Sequence, residues 1–204
     1  MEKIIIFFDR PFKLVPGGFF GLLSFIVGFS FIFIAYFKVP GFSMLENTIS
    51  SLGVVPGITG LIFNIGLILA GITAIPLFIY LGRTLQSEGF NKNLKKIAFT
   101  FSIIICISLC LIGCFPAYNN IIGVFHGLFA GTYFICGLIS SILFSFLIWS
   151  DLRFSKIQSL ISLTVGGTFG FYLITGWPIA EWILLYASLF WVFEISIYTL
   201  LRKI

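Results

Sequence analysis

Six apolar runs, each long enough to cross a lipid bilayer, constrain this chain more than any other feature. They fall at about 17–37, 57–82, 97–115, 121–149, 157–175 and 180–201, separated by short breaks. A hydrocarbon core takes about 20 apolar residues of helix to span. No water is at hand there for backbone N–H and C=O groups, so each segment must satisfy its own, as a helix does. The expectation is an all-α polytopic membrane protein, a single six-helix transmembrane bundle over 1–204. Only 9% of the residues are charged, against roughly a quarter in soluble domains. The spans and loops consume the chain, which excludes a separate soluble catalytic or nucleic-acid-binding module.

The breaks carry turn chemistry. Pro116-Ala-Tyr-Asn-Asn120 parts the third span from the fourth, and Gly176-Trp-Pro178 the fifth from the sixth. Pro16 and Pro56 suit the first turns of their helices, where a missing N–H costs nothing. Pro76 falls inside the second span and is expected to kink it. The first thirteen residues are too short in apolar sequence to cross and read as an interfacial segment. No small-residue cleavage site follows a short apolar core, so no cleaved signal peptide is expected.

The basic residues give a direction. Lys3, Arg10, Lys13, Arg83, Lys92, Lys95, Lys96, Arg153, Lys156, Arg202 and Lys203 fall on one side, leaving only Lys38 opposite. By the positive-inside rule this side, with both termini, is cytoplasmic, and the location is the cell membrane. The net charge of +5 is then a topology signal that also favours anionic lipid headgroups. No aromatic-basic interleaving or recognition helix supports nucleic-acid binding.

Small residues mark helix contacts. Gly123, Gly127 and Gly131 repeat every fourth residue, as do Gly166 and Gly170, a spacing that lets helices approach closely in lipid. The reading is packing within the bundle; docking of a second copy or another membrane protein is the alternative. Cys106, Cys110 and Cys114 share one face of the third helix and read as small apolar side chains, with Cys114 nearest the surface.

Polar groups in or near lipid require an account. Glu46 follows Ser43 with capping-box spacing, so a short helix is expected to start there. It is either a helix-start carboxylate or an acid facing a central cleft. His126, the sole histidine, lies near the outer end of the fourth span. It is either a hydrogen-bonded packing residue or a proton shuttle or base. Glu181 opens the sixth span beside Trp177 and Trp182, which read as an interfacial belt. An acid at a helix N-terminus is favourable without further purpose, yet Glu46, His126 and Glu181 share one depth. Asn47, Asn64, Tyr118, Asn119, Asn120 and Trp177 belong to the same side, so one outward-facing polar pocket is expected. Glu194 lies deeper, where a serine, a threonine or Arg153 is expected to satisfy it. One histidine and two carboxylates lack metal-motif spacing, no GxSxG elbow is present, and no cofactor is expected.

Ile49-Ser-Ser-Leu-Gly53, Asn64-Ile-Gly66 with Gly71, and Gly113-Cys-Phe-Pro116 followed by His126 resemble the domain-of-unknown-function family 998. The resemblance covers about 45–130. It implies a small six-helix prokaryotic membrane protein, with the family's acid at Glu46 and its histidine at His126. It implies no activity. The leading expectation is binding or modification of a lipid or amphiphile near the outer leaflet, with His126, Glu46 and Glu181 as catalytic candidates. Asn47, Asn64, Asn119 and Trp177 are the ligand contacts. The alternatives are a small permease or proton-coupled carrier, or a non-catalytic subunit of a membrane complex.

Overall fold

A computed structural model describes residues 15–85, 92–118 and 120–202. The expected interfacial segment 1–13, Asn119 and Lys203 lie outside the described residues. Among those described, the elements are α1 (Gly17–Phe37), a 3-10 helix η1 (Ile49–Val54), α2 (Ile58–Thr84), α3 (Lys92–Cys114), α4 (Ile121–Ser150), α5 (Lys156–Thr175) and α6 (Pro178–Arg202), with no strand. All six α-helices are long and apolar enough to span a bilayer. The chain is a multi-pass membrane protein.

Helix ends follow local chemistry. Pro16 is the residue before α1, and its carbonyl accepts from Phe19 N at 3.0 Å. Pro56 does not open α2; Gly57 intervenes at φ +80°, a conformation open to glycine. Pro76 sits within α2, which stays helical to Thr84. The third helix begins at Lys92, about a turn before its apolar run, and Lys95 Nζ donates to the Leu85 carbonyl at 2.5 Å, just beyond α2. Asn120 caps α4 by accepting from Ile122 N at 2.9 Å. Gln158 Oε1 accepts from Ser155 N at 2.9 Å, half of a capping box at the start of α5. Gly176 closes α5 in the left-handed region, its N–H donating to Tyr172 O at 2.8 Å.

Short connections make sequence neighbours antiparallel neighbours in space. Each helix packs on the next, and α6 returns to α1, closing a ring. The start of α1 meets the end of α6, because a Cβ on Gly18 would lie 2.5 Å from Ser196 O. A ring of six helices has an inside, and two cavities occupy it.

The glycines that bring α2 and α3 together lie outside the four-residue repeats. A Cβ on Gly71 would lie 2.6 Å from Cys110 Sγ and 2.7 Å from Cys106 O, and one on Gly113 would lie 2.5 Å from Asn64 O. These positions bring α2 and α3 together, with Cys110 Sγ 3.4 Å from Ile68 O. Gly127 and Gly131 face open space instead, which corrects the reading of them as bundle contacts. Gly166 does pack inward, against Ile142. A repeat of four fixes a common face but not the direction in which it points.

The bundle has a loop end, covered by 38–57, and a basic end. At the basic end the Arg153 guanidinium donates to both oxygens of buried Asp151, at 2.9 and 2.7 Å, and to the Thr84 carbonyl. That carboxylate holds the Arg153 guanidinium above its usual range. Tyr198 OH on α6 donates to Arg153 O at 2.6 Å. One residue thus ties together α2, the 151–155 turn and α6.

Candidate functional site

The 38–57 loop folds across one end of the ring and is pinned there. Two bonds from α6 do this. Glu181 Oε2 accepts from Ile49 N at 3.0 Å, and Trp182 Nε1 donates to Asn47 O at 3.0 Å. Asn64 Nδ2 on α2 adds a third tie, to Gly53 O at 2.9 Å. Trp182 is wholly buried, with edge contacts to Tyr36 and Phe42. It is therefore a clamp for the loop and not a member of an interfacial belt. Trp177 is 58% exposed and suits a belt position.

Beneath the loop lies a cavity of about 70 Å³, lined by Ile49 and Ser50 from the loop and by His126, Tyr133 and Glu181 from the helices. His126 and Glu181 are only 8% and 9% exposed. His126 Nδ1 lies 2.8 Å from Phe115 O, and a carbonyl only accepts, so Nδ1 carries the proton. In the neutral ring Nε2 is then an acceptor, with no partner among the described residues. Glu181 uses Oε2 for Ile49, which leaves Oε1 as a second acceptor. The α6 N-terminus favours negative charge at this position.

The remaining expected site residues divide. Glu46 is exposed and does not line the cavity. No helix starts at Ser43: its hydroxyl accepts from Leu45 N at 3.3 Å, its carbonyl accepts from Asn47 N at 2.8 Å, and the segment is a turn. Asn47 and Asn64 hold the loop rather than line the cavity, and Asn120 serves as a cap. Glu194 finds neither serine, threonine nor Arg153. Its Oε1 accepts from Gln158 Nε2 at 2.8 Å, while Oε2 is buried without a partner. Gln158 reaches it from α5 because the ring sets α5 against α6.

Sequence reasoning missed Tyr133 and the space below it. A second cavity of about 130 Å³ lies among all six helices, lined largely by apolar side chains. Ile32, Leu67, Leu109, Tyr133 and Leu185 line both cavities, so the two adjoin. Tyr133 follows His126 by seven residues, two helical turns, and that spacing was its available signal.

Fold and site together define a six-helix membrane protein with a small chamber at one end, apolar but for a few polar side chains that include His126 and Glu181, and a larger apolar one beneath it. A family model described as "Protein of unknown function (DUF998)" matches residues 22–198, and the chain belongs to that family. The match runs from α1 to α6, beyond the 45–130 carried by the motifs. No curated protein and no solved structure matches the chain. The motif residues cluster at the loop end: Ile49–Gly53 forms most of η1, Asn64 holds Gly53, and Phe115 holds His126.

Proposed function

We propose that this protein binds an amphiphile whose polar group sits between His126 and Glu181 and whose apolar body occupies the cavity beneath. The observation that carries this reading is the adjacency of a small cavity that holds His126 and Glu181 to a larger apolar one, with five lining residues in common. The polar end offers acceptors, imidazole Nε2 and carboxylate Oε1. A headgroup rich in donors, a hydroxyl or an ammonium, complements them better than a bare phosphate. Glu46, exposed on the loop, is limited in this reading to the surface from which the ligand enters. In a catalytic form of the proposal, His126 Nε2 takes a proton from a bound hydroxyl or water and Glu181 stabilises the resulting charge. In this reading the loop end faces outward from the cell membrane and both termini are cytoplasmic, an orientation supported by the one-sided distribution of basic residues.

The test is mass spectrometry of lipid that co-purifies with wild type and with His126→Ala and Glu181→Gln. Each substitution is expected to lower occupancy about tenfold, the effect of one buried hydrogen bond. Occupancy and composition unchanged in both variants would overturn the assignment.

A proton-coupled carrier is the second reading, favoured by one observation. Polar groups resume beyond the central cavity, where Gln158 and Glu194 meet inside the bundle. Proton-dependent uptake in proteoliposomes that is lost in Glu194→Gln supports the carrier; lipid binding without any flux removes it.

A further inference from the structure

The larger cavity is apolar in most of its wall, yet two hydrogen-bonding groups on its lining residues are unused. Ser188 Oγ and Trp191 Nε1 are both buried and have no partner. They are separated by three residues on α6 and so share a face of that helix. Trp191 is only 7% exposed.

Their isolation contrasts with their neighbours. Ser196 returns its hydroxyl to Val192 O at 2.5 Å, Thr199 to Ser196 O at 2.9 Å, and Ser102 to Ala98 O at 2.8 Å. Ser24, also in the cavity wall, donates to Ala70 O across the helix interface at 2.9 Å. A helical serine that forgoes the carbonyl of its own preceding turn leaves its donor for something else. The indole is held by its ring, stacked on Phe78 with centroids 6.0 Å apart and tilted against Phe144 at 5.8 Å. Packing therefore fixes where the N–H sits before any ligand arrives.

We infer that the central cavity is a second recognition point, which takes an amphiphile bearing a hydrogen-bond acceptor within its apolar body and receives that acceptor at Trp191 Nε1 and Ser188 Oγ. This rests on the amphiphile reading above and specifies its ligand. A carbonyl, ester or quinone oxygen fits: it accepts from both groups and brings no donor that the aromatic and aliphatic wall would strand. A plain saturated chain would fill the space and leave both donors unmet. The helical rise sets the position of the acceptor. Ser188 and Trp191 follow Glu181 by seven and ten residues, so the acceptor lies about 10–15 Å along the helix axis from the headgroup site.

Two probes decide the matter: a saturated eighteen-carbon primary alcohol, and the same alcohol carrying a ketone at its twelfth carbon. Binding of each to the full-length protein in nanodiscs is measured by native mass spectrometry, for wild type, Trp191→Phe and Ser188→Ala. Wild type is expected to prefer the keto alcohol about tenfold. Trp191→Phe keeps the stacked ring and is expected to abolish most of the preference while still binding the plain alcohol. Ser188→Ala, the milder change, is expected to reduce it in part. Equal binding of the two alcohols by wild type overturns this inference and leaves the amphiphile reading standing. So does a preference that survives in both variants. Binding of neither alcohol by wild type overturns both.

Discussion

At the scale of single residues, Glu181 joins the loop to the chamber. Its Oε2 is the partner of the buried Ile49 N–H. Glu181→Leu leaves that N–H unsatisfied, at a cost of about 1–3 kcal/mol. Its melting temperature in detergent is expected to fall by several degrees, while Glu181→Gln, which keeps a carbonyl acceptor, recovers most of the loss. Equal melting temperatures for wild type and Glu181→Leu would contradict the pin. His126 and Glu181 were legible in the sequence because polar groups at membrane depth are costly and few. Glu46 shares their approximate depth but is exposed. Depth along the chain follows from counting residues; the direction of a side chain depends on how its segment is rotated. Trp177 and Trp182 make the same point, being five positions apart, one exposed and the other wholly buried.

Among the elements, the six spans were readable from hydropathy and helix length, which record the same physical barrier, although α3 starts at Lys92, ahead of the apolar run expected from about 97. The capping boxes show where that stops. Ser43 with Glu46 and Ser155 with Gln158 carry the same spacing, but only the second precedes a helix with an apolar run to sustain it. The glycines divide in the same way and support a direct comparison. Gly71→Ala would drive a Cβ against the Cys106 carbonyl, a backbone atom with little room to yield. It is expected to destabilise by about 1–3 kcal/mol through overpacking. Gly127→Ala and Gly131→Ala meet open space and are expected to be neutral, or to stabilise by up to about 1 kcal/mol through helix propensity. Thermal unfolding of the three variants in one detergent checks the order; a loss at Gly127 as large as that at Gly71 would show that the open face is covered.

For the whole molecule, the ring has a fastening at each end. Arg153 fastens the basic end, and Arg153→Ala takes from buried Asp151 the guanidinium that contacts both of its oxygens. A loss of about 3 kcal/mol is expected, with partial rescue by Arg153→Lys, measured by chemical denaturation in mixed micelles. Orientation is testable with the protein's own thiols, because Cys114 is exposed near the loop end while Cys106 and Cys136 are buried. In intact cells a membrane-impermeant maleimide is expected to label Cys114, and Cys114→Ala to remove the label. Labelling that requires permeabilised cells would reverse the orientation. The loop fastening also bears on biosynthesis. Ile49 and Asn47 wait for partners 132 and 135 residues further on, and chains emerge from the ribosome N-terminus first. The loop over His126 therefore lacks its α6 latch through the synthesis of four helices, α2 to α5, and a nascent chain stalled before Pro178 has every wall of that chamber but the one that latches its cover.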